Sequence, residues 1–213
     1  MDNWLSTRRL GILLGLMVVS GVGIYFYQQV TDKKDQEGKT ALYKIQKTYE
    51  EELNALPEGQ RGAGVALDVN VKFSKTVAEL NGMLTSKTAT ARVLFEASMK
   101  LGNLYLEHGD PAKAAAAFKQ MPEYGKSAFQ KASGYYLLGS AQERANQPKD
   151  AIQSFQQGLS KEVEGLKGEF LVGIIRSLVK SNEAEQAKTF LEKLRKDLPG
   201  SKALEVGESL IGK

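Results

Sequence analysis

KLGNLYLEHGDPAKAAAAF, residues 100–118, returns along the same chain as LLGSAQERANQPKDAIQSF, residues 137–155. Leu101-Gly102 recurs as Leu138-Gly139, Asp110-Pro111 as Gln147-Pro148, Ala114 as Ala151 and Phe118 as Phe155, each displaced by 37 residues. A weaker third copy follows at 36 residues, with Ala187, Leu191 and Pro199, and Leu171, Ile174, Ile175 and Leu178 supply its first helix. Self-similarity at this period marks a stack of small units, none of which buries its apolar face alone.

Each repeated position has a physical reason. Gly102 and Gly139 stand where the two helices of a hairpin cross closely, and Ala114, Ala151 and Ala187 keep the second helix near the first. Phe118, Phe155 and Leu191 fill the space between one hairpin and the next. Pro111 and Pro148 open each second helix at a position whose N–H has no helical partner anyway, and Asp110 is placed to cap the same terminus. With Tyr105 added, the pattern resembles the tetratricopeptide repeat, most specifically over residues 94–160. Repeat two has Gln142 in place of the tyrosine.

Upstream, Leu42, Ile45, Tyr49, Leu53 and Leu56 have helical spacing, as do Val69, Phe73, Val77, Leu80 and Leu84, with Pro57, Gly59, Gly62 and Gly64 between. This reads as an atypical helix pair ahead of repeat one. Downstream, Leu198-Pro199-Gly200-Ser201 ends the third pair, and residues 201–211 form a last helix with Leu204 and Leu210 or Ile211 to cover the end of the stack.

Residues 10–27, LGILLGLMVVSGVGIYFY, carry no charge. At 1.5 Å per residue the run is roughly 27 Å long, close to the thickness of bilayer hydrocarbon. Trp4, Tyr25, Phe26 and Tyr27 flank it as interfacial rings, with Arg8 and Arg9 on one side and Asp32, Lys33 and Lys34 on the other. A single N-terminal membrane helix is expected. A cleavable leader is the alternative, with Arg8 and Arg9 as its basic region and Val19-Ser20-Gly21 as its cleavage site. Gly11, Gly15 and Gly23 lie on one row of the helix and would allow a second anchor to pack closely, giving a dimer. Orientation stays open: Arg8 and Arg9 precede the run, but Lys33, Lys34, Lys39, Lys44 and Lys47 follow it, and a long domain translocates largely regardless of charge.

The expected fold is therefore all-α: a tail at 1–9, a transmembrane helix at 10–30, a linker helix with an atypical pair at 31–87, and three tetratricopeptide-like repeats plus a capping helix at 88–213.

Composition argues against most chemistry. Among 213 residues, 42% hydrophobic and 25% charged, there is no cysteine and one histidine, His108. Disulfide frameworks, zinc fingers, thiol nucleophiles and serine–histidine triads lose their raw material. The absent cysteine also excludes a lipid-modified one, and a net charge of +4 without a basic block does not favour nucleic acid. His108 reads as a helix-terminal structural residue, and Gly38-Lys39-Thr40 lacks the earlier glycine and strand of a phosphate loop. Ser177 and Lys180 have Ser-x-x-Lys spacing without companion motifs, and Glu50-Glu51-Glu52 reads as a solvated flank. No catalytic residue, metal site or cofactor is expected.

Stacked hairpins form a superhelix whose inner surface, lined by the first helices, holds an extended peptide or a partner helix. The repeat register places Met99, Asn103 and Leu106, then Tyr136, Leu137 and Ser140, then Val172, Arg176 and Val179 toward that groove. In the tetratricopeptide family the clamp for a C-terminal carboxylate uses lysines and asparagines, and Met99 stands where such a lysine would.

Tail, span, charged helix and about three degenerate repeats together resemble the ancillary SecYEG translocon subunits, the YfgM-like proteins of Gram-negative bacteria. That resemblance implies a single-pass inner-membrane protein with a periplasmic repeat domain, a non-enzymatic adaptor that binds the Sec translocon, a periplasmic chaperone or an unfolded client. The rival reading is a cytosol-facing receptor or scaffold whose groove binds targeting peptides or assembly partners, which suits the lysine count better. A membrane-bound hydrolase or synthase is the third reading, for which no convergent nucleophile, base and oxyanion donor exist.

Overall fold

The computed structural model describes the backbone of residues 2–62 and 64–212, and the side chains from residue 24 onward with the same gap. Its elements are helices, in the order α1 (Asp2–Asn54), α2 (Val69–Lys72), α3 (Ser74–Ser86), α4 (Ala91–Glu107), α5 (Pro111–Phe118), α6 (Met121–Tyr124), α7 (Ala128–Arg144), α8 (Pro148–Leu159), α9 (Glu164–Lys180), α10 (Ala184–Asp197) and α11 (Lys202–Ile211). The hairpins α4/α5, α7/α8 and α9/α10 occupy the three stretches that read as repeats in the sequence. Helix α11 packs on α9 and α10, with Leu204, Leu210 and Ile211 half-buried there.

Local chemistry sets the helix ends. Thr90 caps α4, the Asp110 carboxylate accepts from the Lys113 amide at 3.0 Å, and Ser201 caps α11. Pro111 and Pro148 stand at the starts of α5 and α8. Ser127 and Gln130 add a reciprocal capping box at α7 that the sequence reading missed.

Two departures from the expected elements have clear causes. The second helix of repeat one stops at Phe118, and residues 121–124 form the separate turn α6. Pro122 has no N–H to give the Phe118 carbonyl, so the helix cannot continue through it. The expected helix over residues 69–84 is likewise broken, at Phe73, whose φ of −123° and ψ of 39° lie outside the helical region. The break frees amides at the start of α3, and Glu52 of α1 accepts from Lys75 N at 2.9 Å, Thr76 N at 3.2 Å and the Thr76 hydroxyl at 2.7 Å. Glu52 is therefore a cap supplied by another helix, not part of a solvated flank.

The repeated glycines are crossing points. A Cβ on Gly102 would overlap the Phe118 ring, and one on Gly158 the Phe170 ring. Phe155 is held from both sides, since a Cβ on Gly139 of α7 would come within 2.7 Å of it and one on Gly173 of α9 within 2.8 Å. Phe155, Phe170 and Tyr136 form an aromatic triangle with centroid separations of 6.1, 6.1 and 6.5 Å.

Helix α1 docks on α4 in parallel register. Asp35 accepts from the Thr90 hydroxyl at 2.8 Å, Gly38 is pressed against Val93, and Lys100 donates to Gln46 at 2.8 Å. The Lys39 ammonium and then the Thr90 hydroxyl hold the Asp35 carboxyl below its ordinary 3.8. A depressed carboxyl stabilises the fold above its unfolded value, and that contribution disappears as pH falls through the folded one. Acid titration followed by α1–α4 distance labels should accordingly show this contact loosening only below about pH 4, and Asp35→Asn should flatten that part of the profile. An unchanged profile would remove Asp35 from the docking account.

The uncharged run reaches from residue 10 to 27, and its part at 10–23, with Gly11, Gly15 and Gly23, lies outside the residues whose side chains are described. Among the described residues no helix is long and apolar enough to cross a membrane. Ile24, Tyr25, Phe26, Tyr27 and Val30 are all exposed on α1 ahead of its contact with the body.

Candidate partner-binding surface

The inner face of the stack is built from α1, α4, α7 and α9. The nine residues that the repeat register assigns to it do not meet in one cavity. Met99, Leu106 and Leu137 are half-buried against the core of the first hairpins. Tyr136 is half-buried in the aromatic triangle, and Val172 is core at 5% exposure, so its side chain packs between helices instead of facing a ligand. Ser140 is half-buried, and Val179 is exposed beside a cavity of 300 Å³ shared with Leu210 and Ile211.

Asn103 is half-buried at the mouth of a separate cavity. This cavity of 210 Å³ lies between α1, α3 and α4, with Ile45, Tyr49, Leu80 and Leu104 as apolar floor and Gln46, Lys100 and Glu107 at the rim. Sequence reasoning missed this cavity because it depends on α1 lying parallel to α4. The helical spacing of Ile45 and Tyr49 signalled a buried stripe, but not which helix it would meet.

Arg176 is tied to another missed residue. Its guanidinium meets the Glu143 carboxylate at 3.0 Å, and Lys180 Nζ reaches the other oxygen at 3.0 Å. Glu143 is buried, so two cations from α9 compensate a carboxylate of α7 and fix the angle between repeats two and three. Removing Arg176 alone would disturb that joint as well as the surface.

The residues screened for chemistry are engaged structurally. His108 is buried at the end of α4 and stacked on Phe73 at 5.0 Å. Its Nδ1 lies 3.0 Å from the Val65 carbonyl, which can only accept, so that nitrogen donates and ties down the segment after Gly64. Lys39 pairs with Asp35 at 2.6 Å within α1. Among the described residues no three metal-ligating side chains converge. The Ser177 hydroxyl is fully buried without a hydrogen-bond partner, and Lys180 is held by Glu143. Ser177→Ala should then leave stability unchanged or raise it by up to about 1 kcal/mol, because an unpaired hydroxyl is removed from the core. A urea midpoint that falls would reveal a partner for that hydroxyl.

Residues 96–124 match the family model of the tetratricopeptide repeat. The match covers α4 from Glu96, all of α5, and α6 to Tyr124, the first full hairpin of the stack. The chain thus carries a tetratricopeptide repeat within an all-helical fold, which supports a role in binding protein partners. No curated protein matches the chain.

Proposed function

We propose that this protein is a non-enzymatic, membrane-anchored adaptor whose helical stack holds a protein partner close to a bacterial inner membrane. The observation that carries the anchoring is the collar of Ile24, Tyr25, Phe26, Tyr27 and Val30, exposed around α1 and continuous in sequence with the uncharged run. Four consecutive helical positions span most of the circumference, so a protein partner on one side would leave rings in water, whereas a bilayer interface takes them all. Gly11, Gly15 and Gly23 would then supply a close-packing face between two anchors.

The partner in this reading is a Sec-type translocon, a periplasmic chaperone or an unfolded client, as the likeness to YfgM-like subunits implies. The open cavity at Asn103, with an apolar floor and a polar rim, suits an inserted apolar side chain and its peptide backbone. The second reading, a cytosol-facing receptor, is favoured by the lysines at 33–47.

Two experiments separate these readings. The chain has no cysteine, so Gly212→Cys gives a unique label at an exposed position. Reaction with an impermeant maleimide in intact cells supports the periplasmic adaptor, and reaction only after lysis overturns that side assignment. A photo-crosslinker at Asn103 in intact membranes should give adducts with translocon or chaperone subunits that disappear when it is moved to exposed Arg144. Equal adducts at both positions would remove the inner face from the account.

A further inference from the structure

The parallel register of α1 and α4 gives the whole stack a direction. Helix α5 returns antiparallel between α4 and α7, and α7 runs parallel to α9, since Tyr136 meets Phe170 and Glu143 meets Arg176. Every first helix therefore begins on the edge of the stack nearest the collar of α1. Asp35, where α1 joins the body, is about 12 Å of helix beyond Tyr27. The headgroup layer occupies roughly 5–7 Å of that distance, which leaves the edge within a Debye length of about 8 Å at physiological salt.

In the first two repeats that edge is basic. Lys87, Lys119, Lys126 and Lys131 are exposed there, and among the described residues none of them enters an ion pair. Glu123 is the exposed acid among them, while Glu96 is paired with Arg92. Phe129, in the first turn of α7, is 59% exposed between Lys126 and Lys131. The same edge of repeat three has mixed charge, with exposed Glu162 and Glu164 at the start of α9 beside exposed Lys193 and Lys196 at the end of α10, whereas the edge of repeats one and two is predominantly basic.

We infer that this edge is a second membrane contact, in which Phe129 enters the interface of an anionic bilayer while Lys87, Lys119, Lys126 and Lys131 face its phosphates. The inference rests on the anchored reading above. An aromatic ring is favoured at headgroup depth, and lysines beside it are attracted to an anionic surface and screened by salt. With α1 as one support and Phe129 as another, the stack lies at a defined tilt, and the inner face is held open sideways along the membrane.

The test uses the full chain reconstituted into vesicles of phosphatidylcholine, with or without phosphatidylglycerol, and a lipid-borne quencher. Single cysteines at Ala128, Arg144 and Tyr25 carry an environment-sensitive fluorophore, and Phe129 stays in place in each. The Ala128 label should be quenched well above the Arg144 label in phosphatidylglycerol vesicles. It should fall to the Arg144 level in phosphatidylcholine alone, at high salt, in Phe129→Glu, and when the four lysines become glutamine, with helicity unchanged by circular dichroism. An Ala128 label in water under all conditions, with the Tyr25 label quenched, overturns the second contact and leaves the anchor standing. A Tyr25 label in water overturns the anchor and this inference with it. Quenching at Ala128 that ignores lipid charge and the lysines overturns the electrostatic contact.

Discussion

Gly102→Leu is expected to lower the melting temperature by on the order of 10 °C, the equivalent of about 3 kcal/mol or more for a chain of this size. Even a methyl group on Gly102 would overlap the Phe118 ring, and that ring is fully buried with Ala114, Met121 and Leu101 around it. Neither helix has a cheap escape: α5 is pinned at its start by Pro111 and by the Asp110 cap. Overpacking at the crossing must therefore open α4 from α5, and with it the seat of α1. Circular dichroism melts of the variant check this, and an unshifted midpoint would show that the α4–α5 crossing is not where the structure places it. Gly82, exposed on α3 with open space around its Cα, is the control, because a side chain there meets nothing.

The second large effect is Phe155→Ala, expected to cost about 3–5 kcal/mol. The ring fills the joint between two glycines on different helices and touches both Tyr136 and Phe170, so its loss leaves a cavity whose walls cannot close without moving α7 against α9. A linear stack is held by nearest-neighbour interfaces, so the loss should appear first as local opening of repeats two and three. Hydrogen exchange should therefore accelerate in α8, α9 and α10 before α1, α3 and α4. Uniform acceleration along the chain would mean that the stack unfolds as one unit.

Both expectations trace to residues legible in the primary structure, because glycine and phenylalanine recur at a fixed period whatever the helices later do. The candidate surface was much less legible. The register placed Asn103 on the inner face, where it lines a cavity, but Val172 and Tyr136 are drawn into the packing between repeats, where helix angles decide whether a side chain faces outward or a neighbour. Glu143 gave no sign of being a buried carboxylate, since its partners Arg176 and Lys180 are more than 30 residues away.

By itself, the amino-acid order determined the helices, their caps and their repetition, because these depend on groups within a few positions of one another: Thr90 with Val93, Asp110 with Lys113, Ser201 with Leu204. It also determined the uncharged run and the scarcity of catalytic groups. Only the tertiary structure decided which helix α1 would lie on, that Glu52 would cap α3, and that Lys87, Lys119, Lys126 and Phe129 would share one edge. The physical reason is that a helix presents several faces of comparable polarity. Which face meets which neighbour is settled by close fits such as Gly38 on Val93, distances that local spacing does not encode.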